Sequence, residues 1–429
     1  MKRQTLLILN RFYIITSLIK AKEFRSLFIQ IRHSMLLRIK RFVSIVWLTK
    51  TSKVAKKIEY FQTLKNFDKV VELYEQNPDT KLSLNTLRIV AVAYMFLEQY
   101  DKHTPVLISV LNQSSPFTID ELITHSRRKL DNLHSVVSGF EPPHSLGGTA
   151  NLGIICHRIN NEIKYLTKIK DIKNAINHFE WHFYKNLTKE FPLLNEYSPK
   201  MIDYERLPNS DLSLLTMEYI DGEPPTVNHW DKIIEFQSKL FMINYQSNKS
   251  KILINNHILP NRHIININYL DTINLIATFF NKKYPTHLIE DDINYLKTII
   301  FRKQHLKNLL NTDNYVLQHR DFNPSNALIN KESDNLIVID WDHIGWDLIG
   351  ADLIMTLVIL EPHLNKIIEM GIMSVEKFVP DSYKEVATHL TLYSLRQKIN
   401  LINKVPNLDC SIKDWNDAIA FIRGLNDRN

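Results

Sequence analysis

A short stretch in the last third of the chain holds acidic and amide side chains with a spacing suited to phosphate chemistry. It spans residues 319–342 and its sequence is HRDFNPSNALINKESDNLIVIDWD. Hydrophobic patterning predicts strands over NYVLQH, ALIN and LIVID, separated by polar loops. These strands would bring Asp321, Asn326 and Asp340 to neighbouring strand ends. Transfer of a phosphoryl group to a hydroxyl needs such a set, because one carboxylate must accept the proton and other oxygens must bind Mg²⁺.

A glycine-rich segment, LGGTANLG, lies upstream at residues 146–153. With the strand candidates IICHRI and EIKYLTKIK, which are separated by a turn at Asn160 and Asn161, it predicts a small hairpin sheet. Glycines let backbone amides approach phosphate oxygens, because no side chain intervenes. Hairpin turns also use glycine for steric reasons alone, so the segment is a weak signal by itself. The candidate phosphate-binding glycines are Gly147, Gly148 and Gly153.

A lysine and a glutamate in the next segments could bind the same phosphates. Lys168 lies in the second strand candidate, and Glu180 follows in the helix candidate HFEWHFYKNL. A strand lysine held by a helix carboxylate can present its positive charge to the α and β phosphates of ATP. Lys170 projects to the same face of the strand, so the spacing leaves open which of the two lysines contacts phosphate.

The segment SLLTMEYIDGEPP is predicted to be a strand that runs into a linker at Asp221. In a two-lobed nucleotide-binding enzyme, backbone groups of such a linker can hydrogen-bond to the edge of adenine. Only main-chain atoms need be specific for that contact. The backbone of Glu218 and Tyr219 is therefore our candidate for binding the base.

The pattern H-x-D-x-x-P-x-N followed by I-D-W-D resembles the aminoglycoside phosphotransferase and choline kinase family, relatives of the protein kinases. The downstream segment GWDLIGADL, residues 345–353, resembles that family's Gly-and-Asp-Leu segment, and the resemblance covers roughly residues 140–400. It implies an α+β, bilobal, protein-kinase-like fold, with a small β-rich N-lobe and a mainly helical C-lobe. An added α-helical region would precede the two lobes.

The resemblance also implies roles for individual residues, with ATP and Mg²⁺ as cofactors. Asp321 would be the catalytic base, and His319 would support the catalytic loop. Asn326 and Asp340 would bind the metal, and Asp342 would assist them. Further support would come from Lys168 and Glu180 at the phosphates and from Asp352 as a carboxylate that stabilises the loop.

The substrate is expected to be a small molecule with a hydroxyl group. Trp341-Asp342 follows Asp340 where a protein kinase has Phe-Gly, and no Ala-Pro-Glu follows, so a segment for docking a peptide is not expected. Residues 223–315, which would shape the acceptor site, hold 11 Lys or Arg and 8 Asp or Glu. This balance favours a sugar, a glycan or a choline-type alcohol over a polycationic aminoglycoside.

Two alternative functions stay open. Glu290, Asp291 and Asp292 could provide a local acidic cleft for an aminoglycoside. Alternatively, the chain could be a kinase-like binding or scaffold protein that has lost catalysis and acts through its helical segment. Retention of Asp321, Asn326 and Asp340 argues against the second alternative, because a scaffold has no need for these oxygens.

The N-terminal segment 1–57 is predicted to be a basic amphipathic helical arm, with 14 Lys or Arg against one acid. It could contact an anionic membrane, pack on the acidic remainder of the chain, or act as an organellar targeting peptide. Nucleic acid is not expected as a partner, because the basic residues alternate with Ile and Leu. The chain has two cysteines, which favours a reducing compartment, namely the cytoplasm, with peripheral contact to the inner membrane face if the arm binds lipid.

A tetratricopeptide-like helical segment is predicted over 58–135, because the segments around Tyr60 and Tyr94 echo each other 34 residues apart. Such a segment would bind a protein partner or the chain's own enzyme domain. The N-lobe and linker are then expected over 136–222, and the C-lobe over 223–429. The composition, with 44% hydrophobic and 23% charged residues, is that of a folded globular protein.

Overall fold

The computed structural model describes most of the chain after the N-terminal arm. The described residues are 50–130, 136–141, 152–172, 179–245, 269–285, 289–402, 405 and 408–427. Most of the predicted arm and two of the candidate glycines, Gly147 and Gly148, lie outside them. The described residues form two compact units: those up to Thr118 together with Leu152, and those within Ile119–Pro143 and Gly153–Asn429.

The first unit consists of helices that pack on their neighbours in sequence. The helices are α1 (Lys50–Thr63), α2 (Phe67–Glu75), α3 (Leu84–Phe96) and α4 (Tyr100–Ser114). The side chain of Ser83 begins α3 by accepting a hydrogen bond from the backbone N–H of Thr86, as expected of an N-cap serine. Fully buried Ile58, Val70 and Val110 contribute to the core.

The predicted repeat aromatics have different environments in this unit. Tyr94 is buried and its hydroxyl donates to Glu75 at 3.1 Å. Phe67 stacks on the exposed Phe96 with ring centroids 4.7 Å apart. The helices confirm the helical character of this segment, and the tetratricopeptide resemblance stays a prediction.

The second unit begins with helix α5 (Ile119–Arg127), which packs on the first strand of an antiparallel sheet. The sequence interpretation grouped this helix with the preceding helical segment, whereas the structure includes it in the same unit as the sheet. The sheet has the strand order β1-β2-β3-β5-β4. Its strands are β1 (Val137–Glu141), β2 (Gly153–Ile159), β3 (Glu162–Asp171), β4 (Met201–Arg206) and β5 (Leu212–Glu218).

The predicted turn between β2 and β3 is confirmed. Asn160 and Asn161 both have positive φ, at 53° and 67°. Asparagine tolerates this conformation better than most residues, and two such residues in succession make the tight turn that suits an antiparallel hairpin. After β3, helix α6 (Phe179–His182) continues through a π-helical turn (Phe183–Leu187) into the short helix α7 (Thr188–Glu190).

The rest of the second unit is mainly helical. Its α-helices within the described residues are α8 (Trp230–Phe241), α9 (Tyr269–Lys283), α10 (Glu290–Ile300), α11 (Lys303–Leu309), α12 (Ala351–Leu360), α13 (Leu364–Ile367), α14 (Tyr383–Leu401) and α15 (Ile412–Asp427). Short strands lie among them: β6 (Gly222–Glu223), β7 (Tyr315–Gln318), β8 (Ala327–Asn330), β9 (Leu336–Val338) and β10 (Gly345–Leu348). The three strands predicted around the acidic stretch are thus confirmed as β7, β8 and β9.

A β-rich part followed by a mainly helical part confirms the expected α+β class. Buried hydrophobic side chains of both parts join in one core, which includes Leu215, Phe236 and Trp341. Cys156 and Cys410 are free and buried, as is usual for isolated cysteines. Among the described residues, no helix is long and apolar enough to cross a membrane.

Gly350 provides a test of the turn that begins α12. Its φ is +85°, and a Cβ placed there would lie 2.8 Å from Leu390 Cδ1. We expect Gly350→Ala to lower the free energy of unfolding by about 1–3 kcal/mol, because the left-handed backbone and the packing both oppose a side chain. Urea denaturation followed by tryptophan fluorescence measures this change.

Gly424→Ala is the matched control, because Gly424 lies inside α15 and a Cβ added there would meet no atom within 4 Å. Alanine favours a helix interior over glycine by up to about 1 kcal/mol, so this variant should be neutral or stabilised. Equal effects of the two substitutions would contradict the assigned role of Gly350.

Candidate active site

The loop after β7 is held in an unusual backbone conformation. Arg320 has a φ of 67°, and its backbone N–H donates to Asp352 Oδ2 at 2.9 Å. Asp352 lies in the first turn of α12, whose Thr356 hydroxyl donates to the carbonyl of Phe322 at 2.8 Å. Left-handed backbone at a non-glycine residue costs about 1–3 kcal/mol and persists only where neighbours enforce it. Contacts with the start of α12 therefore fix the backbone conformation of this loop.

Asp321 points its carboxylate toward two amide side chains of the same loop. Asn326 Nδ2 donates to Asp321 Oδ2 at 2.9 Å, and Asn323 Nδ2 lies 3.4 Å from Oδ1. Partial burial raises the pKa of Asp321 above its ordinary value, although His343 and the Asn326 hydrogen bond act in the other direction. The result is an oriented carboxylate with increased affinity for a proton.

His319 connects this loop to the strand that ends near Asp340. It is fully buried and its Nε2 lies 2.9 Å from the carbonyl oxygen of Ile339. Burial lowers the pKa of His319 to about 4, so the ring is neutral at pH 7. Because a carbonyl only accepts, the proton of the neutral ring must be on Nε2.

Asp340 follows β9 and also has left-handed backbone, with a φ of 63°. Its Oδ1 lies 3.3 Å from Lys168 Nζ. Burial would raise the pKa of Asp340, but Lys168 and Lys170 outweigh it and lower this pKa below the ordinary value. Asp340 is therefore ionised, and its side chain is 18% exposed, whereas those of Glu180 and Asp342 have no exposed surface.

Two lysines of β3, Lys168 and Lys170, reach the same glutamate. Lys168 Nζ donates to Glu180 Oε1 at 2.7 Å, and Lys170 Nζ forms an ion pair with Glu180 Oε2. Burial opposes the charge of each lysine, yet Glu180 and the neighbouring aspartates raise both lysine pKa values. Glu180 is fully buried, so α6 supplies one carboxylate that two strand lysines share.

Asp342 differs from Asp340 in its surroundings, although only Trp341 separates them. Asp342 Oδ2 accepts from Lys170 Nζ at 2.5 Å, and its Oδ1 accepts from the backbone N–H of Glu180 at 3.3 Å. The Asp342 side chain has no exposed surface. Oxygens of Glu180, Asp340 and Asp342 nevertheless lie within 4.8 Å of one another, close enough in principle to hold a metal ion.

The linker after β5 offers a backbone donor beyond the two residues predicted from sequence. The N–H groups of Glu218 and Tyr219 donate to the carbonyls of Lys200 and Lys164. Among the described residues, the N–H of Ile220 has no acceptor. Ile220 is thus a linker residue whose N–H is available to a ligand. Sequence reasoning missed it, because the point at which β3 and β5 stop pairing depends on how the two strands come together.

Gly153 lies at the start of β2 and opposes Ile169 of β3. A Cβ on Gly153 would lie 2.2 Å from Phe140 of β1. Close packing of this ring is therefore sufficient to explain the glycine, because glycine lets a neighbouring group approach the backbone closely. The role of Gly153 in phosphate binding stays a prediction.

The match to a known family agrees with this geometry. Residues 177–372 match the phosphotransferase enzyme family. The matched part of the chain includes Glu180, the loop with Asp321 and Asn326, and Asp340, whereas β3 with Lys168 and Lys170 precedes it.

Solved structures resemble the chain at low sequence identity. Choline kinase from Cryptosporidium parvum Iowa II is 15% identical with a TM-score of 0.41, covering 72% of this chain and 95% of that one. An aminoglycoside phosphotransferase from Alicyclobacillus acidocaldarius is 11% identical with a TM-score of 0.43, covering 64% and 89% respectively. Plasmodium vivax ethanolamine kinase is 10% identical with a TM-score of 0.35, covering 75% and 93%.

These TM-scores are low, so the phosphotransferase assignment depends on the family match and on the site. Comparison with curated protein sequences gives no match. Sequence reasoning had selected Asp321, Asn326, Asp340, Lys168 and Glu180, and the structure brings Lys168, Glu180 and Asp340 into one cluster and joins Asp321 to Asn326. It had considered Lys170 only as a substitute for Lys168, although the i, i+2 spacing already put both lysines on one face.

Asp352 gives the second unit a testable pH dependence of its stability. Its burial raises the pKa to about 7, against opposing hydrogen bonds from backbone N–H groups. An unfolded Asp titrates near pH 4, so the folded state binds this proton more tightly and stability from this group falls as pH rises from about 4 to about 7. Asp352→Asn removes the titrating carboxyl group and so abolishes this pH-dependent loss of stability. The asparagine keeps an oxygen that can accept the hydrogen bond from the backbone N–H of Arg320.

We expect Asp352→Asn to be more stable relative to the parent at pH 8 than at pH 5, by about 1–3 kcal/mol. Urea denaturation of both proteins at the two pH values measures it. Asp79→Asn, in an exposed turn of the first unit, controls for loss of one negative charge. Parallel pH profiles for the parent and Asp352→Asn would contradict the assignment.

Proposed function

We propose that this chain transfers the γ-phosphate of ATP to a hydroxyl group of a small molecule. One observation carries the proposal: Lys168 pairs with both Glu180 and Asp340, close to the loop in which Asn326 holds Asp321. The lysine would bind the phosphates, and Asp321 would accept the proton of the attacking hydroxyl. Ile220, at the linker, would offer its N–H to the base.

The side chains that would hold Mg²⁺ suit that ion. One carboxylate oxygen of Asp340 accepts a hydrogen bond from Lys168, and the second oxygen has no partner among the described residues. The side-chain nitrogen of Asn326 donates to Asp321, so the side-chain oxygen of Asn326 is likewise available within the described part of the chain. Carboxylate and amide oxygens are ligands that Mg²⁺ accepts. When bound, Mg²⁺ would neutralise negative charge on the phosphates.

Asp321 fits the role of the base for two reasons. Its hydrogen bonds to Asn323 and Asn326 fix the carboxylate within the loop, and its raised pKa makes it a better proton acceptor than an exposed aspartate. His319 and Asp352 would then act as positioning residues, because Asp352 accepts from the backbone N–H of Arg320, next to Asp321, and His319 contacts the carbonyl of Ile339, next to Asp340.

The chain after Asp340 supports a small acceptor over a protein. Within five residues of Asp340, strand β10 pairs with β7, with Gly345 opposite Gln318. Helix α12 then begins at Ala351. This short path leaves no extended segment on which a peptide could lie. We infer a sugar, a glycan or a choline-type alcohol as the acceptor.

The acidic residues considered for an aminoglycoside site are only partly available. Asp292 accepts hydrogen bonds from Trp415 Nε1 at 3.0 Å and from Arg423 at 2.8 Å. Glu290 and Asp291 are exposed at the first turn of α10. Since Asp292 is already neutralised, the acidic cleft of that alternative would have two carboxylates where the sequence suggested three.

Substitution of Asp321 tests the proposal. We expect Asp321→Asn to lower kcat by about 10²–10⁴-fold, because the amide cannot accept the proton. Binding of the Mg²⁺–ATP complex should change by less than about threefold, since Asp321 faces the acceptor and not the nucleotide. Transfer from γ-labelled ATP to sugars, choline, ethanolamine and an aminoglycoside measures the first quantity, and calorimetry measures the second.

Asp340→Ala provides the blank, because it removes a proposed metal ligand, and Asp79→Asn provides a variant with the same chemical change as Asp321→Asn at an exposed turn. If Asp321→Asn transferred phosphate at the rate of the parent, the proposed base would be wrong. If the parent phosphorylated the aminoglycoside efficiently and ignored the sugars and choline, the proposed acceptor class would be wrong.

A further inference from the structure

We propose that Lys170 and Asp342 form a positioning pair that fixes Glu180, and through it Lys168, and that Asp342 is not a metal ligand. This inference rests on the phosphotransferase function proposed above. It concerns residues that share one buried cluster but belong to three separate elements: strand β3, helix α6 and the turn after β9.

The oxygens of Asp342 are already committed. Oδ2 lies 2.5 Å from Lys170 Nζ, and Oδ1 accepts the backbone N–H of Glu180. That N–H is at the first turn of α6, where a helix has no backbone acceptor of its own. A metal ion bound by Asp342 would have to displace the ammonium group of Lys170, which is 2% exposed, and leave it buried without this partner.

Glu180 divides its two oxygens between the two lysines. Oε1 accepts from Lys168, and Oε2 forms the ion pair with Lys170. The carboxylate is therefore held at both oxygens, while its backbone N–H is held by Asp342. Loss of Lys170 or Asp342 would remove one of these restraints and allow the Glu180 carboxylate to turn, so Lys168 would lose a fixed partner.

The charge balance places the cation elsewhere. Two lysines face three carboxylates, which leaves an excess of one negative charge in the cluster. Asp342 and Glu180 have no exposed side-chain surface, whereas the Asp340 side chain is 18% exposed. The excess charge accessible to a ligand is thus on Asp340, and Asp342 balances Lys170 inside the protein.

Three variants test the pair: Lys170→Met, Asp342→Asn and the double variant. Both single changes should raise the Kd for ATP by about tenfold, as expected when a group that orients a ligand-binding side chain is removed. The double variant should be no worse than the poorer single variant, because the residues act together. The Mg²⁺ concentration that gives half-maximal phosphate transfer should stay within about twofold of the parent value, since no metal ligand is lost.

Urea denaturation of the same four proteins, without nucleotide or Mg²⁺, gives a readout independent of activity. A coupled pair predicts that the double variant unfolds at a higher urea concentration than the sum of the two single effects allows. Removing both charges at once also leaves no unpaired buried charge, so the double variant should fold even if one single variant does not.

Lys164→Met and Asp79→Asn are the matched controls. Lys164 is exposed on the same strand as Lys170, and Asp79 is exposed in the first unit, so neither change should alter nucleotide binding. The inference is overturned if Asp342→Asn raises the Mg²⁺ requirement tenfold or more while Lys170→Met does not, because that pattern identifies a metal ligand. It is also overturned if the single effects on urea stability add in the double variant.

These outcomes are separate from failure of the proposed function. If the parent protein transferred phosphate to no acceptor, the function would be wrong, and the urea measurements would still decide whether Lys170 and Asp342 are coupled. If the parent transferred phosphate but the double variant were additive, the function would stand and the positioning pair would be wrong.

Discussion

Burial of charge is the constraint on which the candidate site depends. Lys170, Glu180 and Asp342 are almost completely shielded from water, and an unpaired charge in such surroundings is strongly destabilising. The partners come from distant parts of the sequence, since Lys168 and Asp340 are 172 residues apart. The network can therefore form only when the sheet and the loop after β9 are both folded, and this makes the geometry of the site a consequence of the complete second unit.

Two further buried side chains restrain the loop after β7 and the residue before Asp340. Asp352 holds the backbone of Arg320 and His319 holds the carbonyl of Ile339, so the residues before Asp321 and before Asp340 are each fixed by a buried side chain. Neither side chain needs to touch a ligand to influence chemistry. Their contribution is to keep two left-handed residues, Arg320 and Asp340, in conformations that an isolated loop would avoid.

Local sequence was sufficient to predict much of this site. The strands around Asp321, Asn326 and Asp340 and the turn at Asn160 follow from patterns within a few residues, where turn chemistry and alternation act. The difference in burial and partners between Asp340 and Asp342, and between Lys168 and Lys170, could not be predicted, because burial depends on which elements pack together. The same holds for α5, whose partner strand is known only once the sheet exists, and for Ile220, whose N–H is free because the ladder between β3 and β5 stops before it.

The spacing of the two lysines has a consequence for the accuracy of strand pairing. Because side chains on a strand return to the same face every two residues, displacement of β3 by two positions would put one of the two lysines in the place of the other. An apolar residue, Leu166 or Ile172, would then occupy the vacated place, and Glu180 would lose one of its two lysine partners. The tight turn at Asn160 and Asn161, with the β-bulge between His157 and Arg158, fixes the alignment. Which lysine can meet a ligand is thus decided at the far end of the hairpin, by the turn and the bulge.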